Sequence, residues 1–210
     1  MVPGSPTFSE AKSYSGLKQI YLDCVMQSCP ESVQGLIYDP GWSNRIAYED
    51  RLIAEGHIDK SEFEKEREKD RPEVKNAYFL VIFSPSLLGL GRRHPIFVSD
   101  KGFDKMKSEA HFLSCVLDHE SFHTDSLTYG MRLPNGILID HCNIDQLSQE
   151  TVRNFREVIA YRNQLHKLTE RGIDDSVFEG WLQRQTVAYR YALYSINPKS
   201  DLEKQVLRCK

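Results

Sequence analysis

Hydrophobic and polar positions along the first third of the chain predict helices. Apolar residues recur at helical spacing over residues 10–28, and a second helix is expected over residues 43–56, which end in a glycine. Residues 60–69 are crowded with charge and predict a third helix with a solvated face. Only residues 33–42, an apolar run that leads into a Pro-Gly pair, predict an extended piece and a turn.

The middle of the chain changes to patterns typical of strands. Residues 77–83 are continuously aromatic or β-branched, which predicts a central strand buried on both faces. Residues 95–99 predict a second strand, and its leading proline favours an edge position because proline cannot donate to a ladder. The intervening loop, residues 84–94, has two glycines and an apolar tip, so it is either a flap or a turn packed on the core.

The second half of the chain returns to helical spacing. Three long helices are expected, at residues 104–128, 145–169 and 175–195, and glycine or proline follows the first and the last of them. The whole pattern predicts an α+β fold, in which a small mixed sheet and a long helix are followed by a helical C-terminal half. We expect a single domain over residues 1–210, with residues 1–76 as a mostly helical N-terminal extension.

Composition narrows the classes of function. Hydrophobic residues make up 40% and charged residues 27% of the chain, which is ordinary for a globular protein. The net charge of -3 argues against nucleic acid as a partner, because phosphate contacts need clustered Lys and Arg. The sequence shows no apolar run of the roughly 18 residues that cross a bilayer and no secretory signal, so no membrane partner is expected.

The five cysteines do not form the even, regularly spaced set of a disulfide framework. We expect reduced and mostly buried thiols, and with them a cytoplasmic location. Cys115 lies four residues before His119, which predicts a place in the core on the same helix.

The segment His119-Glu120-x-x-His123 is the strongest candidate for chemistry. In a helix, residues four apart lie on one face, so both imidazoles can bind one metal ion. Glu120 then lies beside the metal, where it suits a general base that acts on water. The alternatives are a chance occurrence of the pattern and a histidine pair on a surface helix.

A catalytic zinc site normally needs a third protein ligand. A third histidine six residues after His123 is absent, because Tyr129 holds that position. One class of His-Glu-x-x-His enzyme uses that histidine, whereas the other class uses a glutamate from a later helix, for which Glu157 and Glu150 are the candidates. We favour Glu157, since the small Ala160 beside it lets two helices approach closely, whereas an acid at the helix start is favourable for the helix dipole alone.

The motif His119-Glu120-x-x-His123, followed by Glu157-x-x-Ala160, resembles the gluzincin branch of the zincin metallopeptidases, the thermolysin-like enzymes. The resemblance implies a zincin-like fold, in which residues 95–99 would be the edge strand above the active-site helix. It also implies that His119, His123 and Glu157 bind Zn²⁺ and that Glu120 is the base. Tyr161 stands where thermolysin has an acid that supports the first histidine ligand.

The expected function is therefore a zinc metallopeptidase that hydrolyses a peptide or protein substrate. Tyr194 and Tyr189 are the candidate donors to the oxyanion, and Asp125 or Asn154 would orient a ligand histidine. Two other functions remain open: a catalytically inactive zincin-like regulatory or interaction domain that binds zinc, and a helical interaction protein in which the motif is accidental. His141 is the next ligand to consider should neither glutamate bind.

Overall fold

The computed structural model describes residues 4–61 and 77–209. It has an α+β fold with a small mixed sheet, as the sequence predicts. The predicted helix over residues 60–69 lies almost entirely outside the described residues.

The N-terminal helices are α1 (Phe8–Ser13), α2 (Ser15–Met26) and α3 (Ser43–Ala54). The single helix predicted over residues 10–28 is divided, because Tyr14 between α1 and α2 has an extended backbone. A capping box starts α1: the Thr7 side chain accepts from the Glu10 amide, and the Glu10 side chain accepts from the Thr7 amide.

In the described residues the sheet has three strands, β1 (Val33–Tyr38), β2 (Phe79–Leu80) and β3 (His94–Val98), in the order β1-β3-β2. β3 pairs in parallel with β1 and antiparallel with β2, and all five of its residues are buried. The edge position predicted for residues 95–99 is therefore wrong, because β3 is the central strand. The central strand predicted over residues 77–83 is also wrong, because only the two residues of β2 pair and β2 lies at an edge of the sheet.

The proline fits a central strand because of where β2 ends. β2 pairs only with Phe97 and Val98, so Pro95 has no β2 residue opposite it. On the other side, the register of β1 shifts between Val33 and Gly35, next to the proline. A proline near a strand end thus indicates a short partner strand as readily as an edge.

The N-terminal part of the chain belongs to the sheet. β1 pairs with β3 over most of its length, and α2 packs on β1. Residues 1–76 therefore include a strand of the sheet in addition to the helices expected of an extension.

The helix predicted over residues 104–128 is interrupted. A short helix α4 (Asp100–Asp104) ends first, and Ser108 then caps a new helix by accepting from the His111 amide. This second helix, residues 109–129, is the motif helix, and it consists of α5 (Glu109–Leu113), a π-helical turn (Ser114–Glu120) and α6 (Ser121–Tyr129). It ends at Gly130, whose φ of 79° and close approach to the Ile139 carbonyl both exclude a side chain.

A short hairpin, β4 (Met131–Arg132) and β5 (Leu138–Ile139), leads to the C-terminal helices. These are α7 (Gln149–His166), α8 (Ser176–Tyr194) and α9 (Asp201–Arg208). α7 packs along α8 on one side and against the π-helical turn on the other. This packing sets α7 beside the histidine motif.

The core lies on both faces of the sheet because successive β3 residues point to opposite sides. Ile96 and Val98 pack with α1, α2 and the start of the motif helix, whereas Phe97 packs with Leu127 and the C-terminal helices. The motif helix contributes to both clusters and is therefore held along its whole length.

Residues 84–94 form a turn packed on the core, the second of the two expected arrangements. Leu87 and Leu88 are fully buried. The amides of Gly89 and Gly91 donate to the carbonyls of Leu127 and Thr128, at 2.7 and 2.8 Å. The loop thus fixes the C-terminal end of the motif helix and is not a free flap.

All five cysteines are free, as expected of reduced thiols, but only Cys115 is buried and Cys142 is exposed. The expectation that most thiols are buried is therefore wrong. None of the described helices combines the length and the apolar character that crossing a bilayer requires.

Candidate metal centre

The two histidines of the motif lie where the helix changes type. His119 lies in the π-helical turn, and His123 lies in the first turn of α6. Their ring centres are 4.9 Å apart, and the side chains are only 9% and 7% exposed. A π-helical turn often marks a functional site, because it redirects side chains within an otherwise regular helix.

Glu157 of α7 meets both rings. Its Oε2 is 3.5 Å from Nε2 of His119, and its Oε1 is 3.3 Å from Nε2 of His123. Tetrahedral zinc with bonds of about 2.0–2.1 Å would hold its ligand atoms roughly 3.3–3.4 Å apart. Both imidazole–carboxylate distances are close to this value, and the ligand atoms of the three side chains lie within 4.8 Å of one another, so the group could hold one metal ion.

The polar face of α7 explains why Glu157 reaches the histidines. Ala160 is fully buried, Asn163 donates to the Asp118 carbonyl at 2.6 Å, and Gln164 donates to Ser114 at 3.1 Å. These contacts bring α7 against the π-helical turn. Glu150, in contrast, lies exposed in the first turn of α7 and is not part of the group.

The side chains of His119, His123 and Glu157 shift one another's pKa values. Burial alone would raise the pKa of Glu157, but the two histidines hold it well below its ordinary value. Burial lowers the pKa of His123 to about 4, which keeps its ring neutral and able to bind a metal. For His119, burial is outweighed by the carboxylates of Glu157 and Glu120, which raise its pKa.

Glu120 is not among the three converging ligands. Burial raises the pKa of its carboxyl to about 7, the nearby His119 and Arg156 lower it, and the charge of Glu157 raises it further. A carboxyl group with a pKa near neutral pH can both accept and return a proton, as a general base must.

The orienting role expected of Asp125 or Asn154 is not observed. The Nδ1 atoms of His119 and His123 are buried without a hydrogen-bond partner among the described residues. The ring of Tyr161 packs on His119 instead, with centres 4.4 Å apart. An aromatic contact thus takes the place that a carboxylate holds in many zinc sites.

The tyrosines proposed as oxyanion donors lie outside the ligand group. Tyr189 stacks on Tyr161 with ring centres 5.9 Å apart, one ring removed from His119. Tyr194 is 59% exposed and contacts Tyr191. Their catalytic roles stay predictions.

Arg156 is the functional candidate that the sequence analysis missed. It is 6% exposed, and its guanidinium carbon lies 3.9 Å from the centre of the Phe83 ring. Burial lowers its pKa to about 10, and Glu157 and Glu120 oppose that shift. The available signal was a charged residue directly before Glu157, between the apolar Phe155 and Val158 on a buried helix.

A buried ion pair supports the helix beside His119. Asp118 is fully buried, and Arg171 donates two hydrogen bonds to its carboxylate, both 2.8 Å long. Since the two side chains come from the motif helix and the segment after α7, the pair fixes the motif helix from outside the ligand group.

His141, which was to be considered as a ligand if neither glutamate binds the metal, lies in a different group. Its Nε2 is 3.5 Å from the Cys142 sulfur, and its Nδ1 is 3.1 Å from the Leu88 carbonyl oxygen. Asp140 completes this exposed set of metal-ligand types. His141 is therefore not brought to His119 and His123.

Comparison of the chain with protein-family models, with curated proteins and with solved structures finds no match. Support for a function therefore comes from the geometry of the chain's own residues. Of these, the group formed by His119, His123 and Glu157 has the most specific geometry.

Proposed function

We propose that this protein is a zinc-dependent metallopeptidase with a zincin-like fold. The main observation in support is that His119, His123 and Glu157 converge from two separate helices, with their ligand atoms within 4.8 Å of one another. Two imidazoles and one carboxylate leave one position for water, which is the arrangement of catalytic rather than structural zinc.

The chain's own residues supply the proton transfers. When bound, zinc supplies Lewis acidity, which polarises a carbonyl group and makes water acidic near neutral pH. Glu120 accepts the proton of the attacking water and later donates it to the leaving amine.

The edge of the sheet offers a place for an extended substrate. β2, rather than residues 95–99, is the edge strand, and it is antiparallel to β3. β2 also packs against the π-helical turn that carries His119. A peptide that paired with the outer side of β2 would therefore lie next to a strand that contacts this turn.

Metal content tests this proposal first. Protein purified without added metal is analysed for zinc, and we expect about one ion per chain. Hydrolysis of a mixture of unstructured peptides is then followed by mass spectrometry, with and without a chelator. Cleavage that the chelator does not affect would contradict a zinc peptidase, and absence of stoichiometric zinc would favour an interaction protein with an accidental motif.

The second candidate function is a zinc-binding regulatory or interaction domain without catalysis. Two observations favour it: the histidine Nδ1 atoms lack supporting acceptors among the described residues, and two surface cavities of about 480 and 500 Å³ lie around α9, lined by no residue of the metal group. In this case zinc is stoichiometric, and no peptide of the mixture is cleaved.

A further inference from the structure

Arg156 is a buried cation without a matching anion. In the described part of the chain no carboxylate lies within ion-pair distance of its guanidinium, and its Nε is buried without a hydrogen-bond partner. A guanidinium has five donors, and structural arginines at this depth normally have them satisfied. Leaving such a charge buried and unpaired costs stability, which indicates that a ligand completes the site.

The guanidinium lies beside the proposed metal centre. The carboxylates whose charge acts on Arg156 are those of Glu157 and Glu120, yet neither is close enough to form an ion pair with it. The Phe83 ring supports the guanidinium at 3.9 Å. Phe83 follows the edge strand β2 by three residues, so this contact places Arg156 near the end of that strand.

The charge balance of the centre favours an anion. With a divalent ion held by neutral His119 and His123 and by Glu157, the positive charges of the ion and Arg156 exceed the negative charges of Glu157 and Glu120. The planar fork of a guanidinium matches a carboxylate in two parallel hydrogen bonds.

We propose that Arg156 binds a carboxylate of the substrate and thereby selects peptides that carry one next to the cleaved bond. This inference rests on the proposed peptidase function. The carboxylate has two possible sources, the C-terminus of the peptide and an acidic side chain, and both present the same two oxygens to the guanidinium.

Matched peptides distinguish the two sources. One pair differs only in a C-terminal carboxylate or carboxamide, and a second, amidated pair differs only in a Glu or Gln side chain. For the zinc-loaded protein we expect kcat/KM to favour the acid of one pair by roughly 100-fold, because an unpaired buried charge rejects the neutral analogue. A preference in the first pair identifies the C-terminus, and one in the second pair identifies a side chain.

Three variants assign the preference to Arg156. Arg156→Gln should reduce the acid-to-amide ratio to about one, and Arg156→Lys should retain part of it, because lysine keeps the charge but not the fork. Arg162→Gln is the matched control, since it removes an exposed arginine from the same helix and should leave the ratio unchanged. A wild-type ratio near one, or a ratio that Arg156→Gln leaves intact, would overturn the assignment.

A binding measurement separates this inference from the peptidase proposal. The same peptides are titrated calorimetrically into protein as purified that carries Glu120→Gln, which lacks the proposed base and should not hydrolyse them. Tighter binding of the acid that is lost when Arg156→Gln is added supports the carboxylate site even if the protein without Glu120→Gln cleaves nothing. Equal binding of acid and amide, with folding of both proteins verified by circular dichroism, contradicts it.

Discussion

At the scale of single residues, the candidate centre differs from many zinc sites in what surrounds its ligands. The buried Nδ1 atoms of His119 and His123 lack acceptors among the described residues, and the Tyr161 ring packs on His119. Ring orientation is therefore fixed by packing rather than by hydrogen bonds. Packing restrains the ring without raising its basicity, so we expect weaker zinc binding than at sites with carboxylate support.

Glu120→Gln tests the general base. The amide preserves the size of the side chain but cannot accept a proton at neutral pH, so we expect full zinc content and a loss of hydrolysis of at least about 100-fold. Zinc analysis and kcat measured on one preparation check both statements. Hydrolysis at the wild-type rate would exclude Glu120 as the base, and lost zinc would show that the side chain supports the ion.

At the scale of helices and strands, the sequence identified the type of most elements but not the order of the strands. Period and composition located β3 and the long C-terminal helices within a few residues. Strand order depends on which segments pair across the fold, and the apolar run 77–83 carries no signal that only Phe79 and Leu80 find partners. The proline rule failed for the same reason, since the absence of a β2 residue opposite Pro95 is not visible locally.

For the metal group, too, the sequence predicted the features that depend on local spacing but not those that depend on distant contacts. The spacing of His119 and His123 predicts one helix face, and the small Ala160 beside Glu157 predicts that a second helix packs closely on it. Arg156 was missed because its apolar neighbours Phe155 and Val158, which are the local signal, do not by themselves distinguish a buried arginine from a solvated one. Its burial follows from the contact with Phe83, a residue 73 positions earlier in the chain.

The register of α7 predicts unequal effects for its two glutamates. Glu157→Ala should weaken zinc binding by at least about 100-fold, because one of three ligands is lost. Glu150→Ala is the matched control and should leave the affinity within about twofold, since Glu150 is exposed in the first turn. Competition with a fluorescent zinc chelator measures the zinc affinity of both variants. A reversed result would mean that α7 is shifted along its axis by about two turns relative to the histidines.

At the scale of the whole molecule, the proposed ion joins two parts of the fold. The motif helix belongs to both core clusters, whereas α7 packs with the C-terminal helices. A ligand that binds only the folded state stabilises it by mass action. Zinc should therefore stabilise the docking of the C-terminal helices as well as the site itself.

Removal of zinc tests this connection. We expect a chelator to lower the melting temperature by on the order of 10 °C, the shift produced by a few kcal/mol in a chain of this size. His123→Ala should melt at a similarly low temperature and show no further change with chelator. Scanning calorimetry of the wild type and the variant, each with and without chelator, measures this. A wild-type melting temperature that is independent of chelator would contradict a bound metal.

A carboxylate far from the centre also holds the C-terminal helices together. Glu203 of α9 is fully buried and accepts hydrogen bonds from Ser148 and Thr151 at the start of α7, and from the Lys199 amide. Burial would raise the pKa of its carboxyl, but these hydrogen bonds lower it to about 2. The carboxylate form is thus favoured by folding.

Acid should therefore weaken the attachment of α9 in a defined range. A folded-state pKa below the unfolded value of about 4.5 contributes stability that is complete above pH 4.5 and is lost as the pH falls towards 2. The depression corresponds to about 3 kcal/mol. Glu203→Gln should lower the free energy of unfolding by about that amount at pH 7. The variant should also lose less of this free energy between pH 4.5 and 2 than the wild type does, as urea titrations at several pH values will measure.

Asp201→Asn is the control, because this side chain is 91% exposed on the same helix, and it should change the free energy of unfolding by less than about 0.5 kcal/mol. Equal pH profiles for the wild type and Glu203→Gln would show that the buried carboxylate does not couple folding to protonation.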